Sequence, residues 1–173
     1  MMILNKASLS ATLLTSVISL SAIAGPNQQD ITLTGAISAV SCEVVLNGGS
    51  STLNVGTFAA DAFTVASKQV GTTPLYISLN GCSAASEEDS GNLYVQGMTA
   101  NGSQSLFVNN ASNSVGFMLT DAASKPVVNN QAIPLDVTAG SNSYQFTAGM
   151  GSLNTTPANG VYSAPIVIAY VSD

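Results

Sequence analysis

Short apolar runs separated by turn residues are the feature that most constrains the fold of this chain. The clearest run is Thr73–Leu79, in which Leu75, Ile77 and Leu79 alternate with Tyr76 and Ser78. Asn-Gly pairs, such as the one that follows this run, mark turns between the segments. No helical period is convincing. The pattern predicts an all-β domain, either a sandwich or a small barrel.

The segments that fit strands by this criterion share β-branched or aromatic residues and flanking turn signals. They are Ile31–Leu46, Leu53–Phe58, Thr73–Leu79, Leu93–Gln96, Ser105–Val108, Val115–Thr120, Ile133–Val137, Ser143–Thr147 and Val161–Val171. Hydrophobic residues make up 46% of the 173 residues and charged residues only 7%. Ser, Thr, Asn, Gln and Gly must therefore supply the polarity, which favours one turn-rich β domain.

The first 24 residues are predicted to be a secretory signal peptide. Lys6 is the only charge in the first 29 residues, and the run Ala7–Ile23 that follows is small and apolar. Ala22-Ile23-Ala24 is a typical cleavage site, so the mature chain would begin at Gly25. The alternative is a transmembrane helix. That reading is disfavoured because the run contains several hydroxyls, whereas a spanning helix needs roughly 20 mostly apolar residues.

Export would determine the oxidation state of Cys42 and Cys82, the only cysteines in the chain. An oxidising compartment makes a disulfide between them the expected state. The alternative is two separate buried thiols. A metal site is not expected, since two ligands are too few and the chain has no His.

The charged residues argue against catalysis and against nucleic-acid binding. The chain lacks His, and its three cations are all Lys, so neither a nucleophile–His relay nor an Arg clamp can form. Asp61, Asp121 and Asp136 lie beside turn residues and are predicted to be turn or cap residues, while Glu87-Glu88-Asp89 is predicted to be a solvated loop. Without Lys6 the formal charge is 2 − 9 = −7, which repels nucleic acid. We expect no enzyme activity and no cofactor.

The last predicted strand has two apolar faces. One face carries Tyr162, Ala164, Ile166, Ile168 and Tyr170. The other carries Val161, Ser163, Pro165, Val167 and Ala169, so both faces are largely apolar. Pro165 has no N–H to donate, which suits a strand near a sheet edge. Such a strand could be an ordinary buried final strand. It could equally be an edge strand that another chain covers.

The order of these features resembles the fimbrial subunits of the chaperone–usher pathway, of the type 1 and P pilus kind. The residues that carry the resemblance span nearly the whole mature chain. They are Gly35-Ala36-Ile37 before Cys42, Leu53–Phe58 with Phe63, Gly71 and Leu75–Cys82, Val115–Asp121 with Pro126, and Tyr144, Phe146 and Ala148 with Gly160 and Tyr162. One departure is that Tyr170 stands two residues before the position where the family usually has its penultimate Tyr.

The resemblance implies an incomplete immunoglobulin-like β-sandwich that lacks its final strand and is completed by a donor strand from a partner. Residues 25–34 would be the amino-terminal donor extension, with Ile31 and Leu33 as its anchors, and residues 35–173 the pilin domain. The acceptor groove would be lined by the row Tyr162, Ala164, Ile166, Ile168 and Tyr170. The carboxylate of Asp173 would be held by basic residues of a chaperone.

The implied function is that of a structural subunit of a bacterial surface fimbria, polymerised by donor-strand exchange and contributing to cell adhesion. The implied partners are neighbouring pilin subunits, a periplasmic chaperone and an outer-membrane usher. The alternative is a self-contained secreted β-sandwich that binds carbohydrate or forms a surface coat. In that case residues 25–34 would pair within their own chain.

Overall fold

The computed structural model describes residues 42–82 and 89–172. Those residues form seven β-strands, and two short 3-10 turns at Asn47–Gly49 and Ala60–Ala62. The strands are β1 (Glu43–Leu46), β2 (Val70–Cys82), β3 (Asp89–Gly97), β4 (Val115–Thr120), β5 (Ile133–Val137), β6 (Gly140–Ser152) and β7 (Ile166–Ser172).

The strands form two antiparallel sheets that enclose one main core. The four-stranded sheet has the order β1-β2-β6-β4, and the three-stranded sheet has the order β5-β3-β7. The core draws on inward side chains from both sheets, as in an immunoglobulin-like sandwich. The predicted all-β fold class is confirmed.

The alternating apolar residues of Thr73–Leu79 are part of this core. Leu75, Ile77 and Leu79 of β2 are buried, whereas Tyr76 between them is 55% exposed. Across the sandwich they pack with Leu93 and Val95 of β3, which are also buried. Burying each such aliphatic side chain stabilises the fold by about 1.5–3 kcal/mol relative to exposure. The period-2 pattern therefore reports the inward face correctly.

Two of the predicted strands are wrong. Leu53–Phe58 is not a strand, because the chain turns at Gly56. This residue has φ +105°, and its backbone N–H donates a hydrogen bond to Asn54 Oδ1. Ser105–Val108 is not a strand either. Only Phe107 bridges its neighbours there, at Thr99 and Phe117.

Phe107 closes one side of the sandwich. Its backbone exchanges hydrogen bonds with Phe117 of β4, and it bridges to Thr99, just beyond the end of β3. Its buried ring belongs to the main core, and its neighbours Leu106 and Val108 form a second small core with Met118. The two sheets are thus linked by main chain at the β4 side. The opposite side is bordered by β1 and β7.

A disulfide joins Cys42 to Cys82. Cys42 lies immediately before β1, and Cys82 is the last residue of β2 and is buried. The bond therefore ties the short strand β1 to its only hydrogen-bonded neighbour among the described strands. The predicted pairing of the two cysteines is present.

Gly71 is a position where the fold requires glycine. Its φ is +91°, and a Cβ built on it would collide with the ring of Phe58. We expect Gly71→Ala to lower the free energy of unfolding by about 1–3 kcal/mol, measured by urea denaturation of the purified protein. Gly140→Ala is the matched control, because Gly140 has φ +99° with open space around it. If both variants lost the same stability, the contact with Phe58 would contribute nothing.

Candidate functional site

Strand β7 is the predicted carboxyl-terminal strand in shortened form. The sequence predicts a strand over Val161–Val171, but β7 covers only Ile166–Ser172. Its partner β3 ends at Gly97, which lies opposite Ile166, so the preceding residues have no described neighbour with which to form a ladder. Pro165 also lacks an N–H. The segment 161–165 nevertheless keeps its alternation, with Tyr162 and Ala164 half-buried and the residues between them exposed.

The register with β3 shows which β7 side chains point into the sandwich. Ile168 lies opposite Val95 and Tyr170 opposite Leu93, both of which are buried core residues. Ile168 is only 7% exposed, whereas the outward Val167 is 62% exposed. The predicted row of Ile166, Ile168 and Tyr170 therefore lies on the core side of the sheet.

Strand β1 presents a matching row from the other sheet. Val44 lies opposite Leu79 and Leu46 opposite Ile77, so both point toward the core. Unlike their buried partners on β2, these two side chains are only half-buried. Ile166 and Tyr170 on β7 are half-buried in the same way.

We call the line where the described strands of the two sheets end beside each other the β1–β7 margin. It is defined by Val44 and Leu46 of β1 and by Ile166, Ile168 and Tyr170 of β7, and the two strands are in contact. Among the described strands, β1 is paired only with β2, and β7 only with β3. Apart from the buried Ile168, the inward side chains are thus half-buried on both sides of this margin, and the described strands place no backbone ladder between them.

A cleft of about 610 Å³ lies beyond the beginning of β7. We call it the Tyr162 cleft. It is lined by the 53–58 segment, by Phe63, by Phe117 and Met150, and by residues 157–162. Tyr162 is held there by a hydrogen bond of 2.7 Å that its hydroxyl donates to the carbonyl oxygen of Ala158. Ala164, half-buried against the core, connects Tyr162 to the inward row of β7.

The sequence did not predict this cleft. The apolar run Leu53–Phe58 predicts a strand, but the turn at Gly56 places this segment along the cleft. A glycine in the middle of an apolar run was the available signal, since such a residue often marks a close approach or a break in a strand.

Several predicted site residues lie outside the described residues. These are the donor anchors Ile31 and Leu33, the terminal residue Asp173, and Glu87 and Glu88 of the acidic loop. Of the predicted acceptor row, Ile166, Ile168 and Tyr170 share one strand, while Tyr162 and Ala164 lie in the irregular segment before it.

Tyr144 and Asp121 are two ionisable residues whose contacts are those of packing and of a turn. Burial raises the pKa of Tyr144, and the nearby charge of Asp121 raises it further. The phenol therefore stays neutral near pH 7 and packs edge-on against Phe146, with ring centroids 5.1 Å apart. Asp121 Oδ1 accepts the backbone N–H groups of Ala123 and Lys125, which is the predicted turn role.

Residues 42–82 and 89–172 contain neither a cluster of metal ligands nor a membrane-spanning helix. No three His, Cys, Asp or Glu residues there are grouped so as to bind a metal ion. No helix there is long and apolar enough to cross a membrane.

Comparisons with known proteins agree with this geometry. The model of the fimbrial protein family matches residues 31–169, which is most of the chain. No curated protein matches the chain by sequence.

Several solved structures have a similar fold. The P pilus rod subunit PapA is 17% identical, with a TM-score of 0.63 over 76% of this chain and 99% of its own. A subunit from the structure of a chaperone–usher pilus is 17% identical, with a TM-score of 0.61 over 86% and 98%. An antigen and type I fimbria protein of Burkholderia pseudomallei is 18% identical, with a TM-score of 0.57 over 76% and 99%. The chain therefore belongs to the fimbrial protein family, as a pilin subunit with the fold of chaperone–usher pilins that is exported and assembled on the bacterial cell surface.

Proposed function

We propose that this subunit is polymerised by donor-strand exchange at the β1–β7 margin. The observation that carries the proposal is the pair of half-buried inward rows, Val44 and Leu46 on one sheet and Ile166 and Tyr170 on the other. A β-strand inserted between β1 and β7 would cover both rows at once. That strand would remove apolar surface from water on both sheets.

The backbone of β7 supports the same conclusion. Between Ile166 and Ala169, β7 has one ladder partner among the described strands, which is β3. Backbone N–H and C=O groups at an apolar margin need hydrogen-bond partners, because leaving them unpaired away from water costs free energy. A strand added beside β7 would supply those partners between Ile166 and Ala169.

The proposed donor is the amino-terminal extension, residues 25–34, of a neighbouring copy. Its anchors Ile31 and Leu33 alternate, so both would face the groove of the acceptor. Ten extended residues span about 33 Å and the seven residues of β7 about 23 Å, at about 3.3 Å per residue. The donor is therefore long enough to follow β7 and reach the Tyr162 cleft.

The other expected partners are those that the resemblance to chaperone–usher pilins implies. Before polymerisation, a periplasmic chaperone would cover the margin with a strand of its own and hold the carboxylate of Asp173. An outer-membrane usher would then exchange that strand for the donor of the next subunit. Residues 1–24 would direct export and residues 35–173 would form the pilin domain. The role is structural, without catalysis, and contributes to adhesion through the fibre.

Paired substitutions on β7 test the groove. Ile166 points inward and is half-buried, whereas Val167 beside it points outward. We expect Ile166→Asp to reduce polymer formation by at least about tenfold, because a buried carboxylate would face the donor strand at a cost of about 2 kcal/mol or more. Val167→Asp adds the same charge on the solvent face and should polymerise normally.

The readout is electrophoresis of purified surface material after partial and complete heating in detergent. Polymers joined by an inserted strand should appear as a ladder that disappears on full heating. Circular dichroism of each purified subunit checks that the fold is retained. Equal ladders from the two variants would contradict the placement of the groove at the β1–β7 margin.

A further inference from the structure

The chain contains four Asn-Gly pairs, at Asn47, Asn80, Asn101 and Asn159. Asn followed by Gly is prone to deamidation. The glycine has no Cβ to hinder its own backbone nitrogen from approaching the Asn side chain. A folded structure slows this reaction wherever hydrogen bonds hold the Asn side chain or the Gly backbone away from the reacting geometry, because the segment must first open.

The first two pairs are restrained. Asn47 Oδ1 accepts a hydrogen bond of 3.0 Å from the backbone N–H of Tyr76, and its backbone is fixed in a 3-10 turn. Asn80 lies within β2, opposite Glu43 of β1 and two residues before the disulfide. Its segment is therefore held by the sheet as well as by the cross-link.

The third pair lies in a hydrogen-bonded turn. The backbone N–H of Asn101 donates to Ala111 O at 2.8 Å, and Ser103 N donates to Ala100 O at 3.0 Å. These two bonds flank the peptide that joins Asn101 to Gly102. Succinimide formation would require that turn to open.

Asn159 is different from the other three. Asn159 and Gly160 are both exposed, lie in the irregular segment between β6 and β7, and make no hydrogen bond among the described residues. The pair also lines the Tyr162 cleft. The nearest hydrogen bonds along the described chain are those from the Tyr162 hydroxyl to Ala158 O and from Asn109 Nδ2 to Ser163 Oγ.

We propose that Asn159 is a site of spontaneous deamidation at the rim of the Tyr162 cleft. The backbone nitrogen of Gly160 attacks Cγ of Asn159 and forms a new C–N bond. The side-chain nitrogen leaves as ammonia, taking up the proton that the Gly160 nitrogen loses. Water then opens the succinimide. Opening at the side-chain carbonyl leaves aspartate, and opening at the backbone carbonyl leaves isoaspartate. No oxidant or cofactor takes part.

The consequence of the reaction rests on the proposed function. A carboxylate at position 159 adds a negative charge to a cleft wall of a chain whose formal charge is already −6. Isoaspartate also lengthens the backbone by one methylene before Tyr162. Both changes would oppose entry of an apolar donor side chain into the cleft. The modified subunit is therefore expected to take up a donor strand less readily.

Peptide mapping by mass spectrometry tests the site. The purified mature subunit is incubated in mildly alkaline buffer, digested, and scanned for the mass change of amide to acid, with isoaspartate detected by enzymatic methylation. We expect Asn159 to react at least about tenfold faster than Asn47 and Asn101, a ratio equivalent to about 1.4 kcal/mol. In denaturant the pairs should react at similar rates, which shows that the fold causes the difference.

Gly160→Ala is the matched control. A Cβ at Gly160 would lie 3.5 Å from the Tyr162 ring, an ordinary contact, so the variant should fold while its methyl group slows the attack. Equal rates at Asn159 and Asn101, or an unchanged rate in Gly160→Ala, would overturn the site. Fast reaction with unaltered polymerisation of the modified subunit would overturn its effect on strand exchange. Failure of donor exchange itself is detected separately, by polymerisation of variants at Ile31 and Leu33.

Discussion

Replacing Ile31 and Leu33 together by Asp is expected to abolish polymerisation while leaving the pilin domain folded. Each substitution would bring a carboxylate into the apolar β1–β7 margin of the next subunit, at a cost of at least about 2 kcal/mol. Together they would weaken strand exchange by about a thousandfold, if the two effects add. The measurement is the heat-sensitive ladder of polymers from cells that express only the double variant.

Thr32→Asp together with Thr34→Asp is the matched control. It adds the same two charges to the same segment, but on the alternate positions, which an extended strand turns away from the groove. We expect this control to polymerise. Normal polymers from the Ile31 and Leu33 double variant would refute the donor role of residues 25–34. Loss of polymers in both variants would mean that charge in the segment matters and that its register does not.

Removing the disulfide is expected to cause a large loss of stability. The sequence separation between Cys42 and Cys82 is 40 residues. Freeing a loop of that size should lower the free energy of unfolding by about 4 kcal/mol, through the greater entropy of the unfolded chain. The measurement is the denaturation midpoint of the double Ser variant, Cys42→Ser with Cys82→Ser, against the parent protein.

The position of the disulfide adds a functional expectation. β1 is four residues long and pairs only with β2 among the described strands. The cross-link beside it therefore helps to keep β1 in place at the β1–β7 margin. The double Ser variant should therefore also polymerise less at temperatures where it is still folded. A reductant should reproduce both losses in the parent protein and change nothing in the variant. A stability loss below about 1 kcal/mol would show that the cross-link adds little to this fold.

The regular strands could be predicted because their signals are local. Thr73–Leu79 and Ile133–Val137 alternate over a few residues, Val115–Thr120 is a short apolar run before turn residues, and each lies in a strand of the structure. The same alternation failed at Leu53–Phe58 and at Val161–Pro165. At both places the described residues offer no neighbour for a ladder, and the presence of a neighbour is not a local property.

The residues of the candidate site could likewise be predicted only in part. Alternation alone put Ile166, Ile168 and Tyr170 on one face, and the register with β3 agrees. No local pattern indicated that Val44 and Leu46 would border the same margin, or that Leu53–Phe58 would face residues 157–162 across a cleft. The donor anchors and Asp173 remain predictions.

By itself, then, the sequence determined the β class, the spacing of most strands and the pair of cysteines, since periodicity, turn residues and composition act over short distances. Only the tertiary structure decided which of the described strands lie at the edge of each sheet and which inward side chains remain half-buried. Those properties depend on how segments far apart in the chain pair with one another. Burial is settled by all the neighbours of a residue at once.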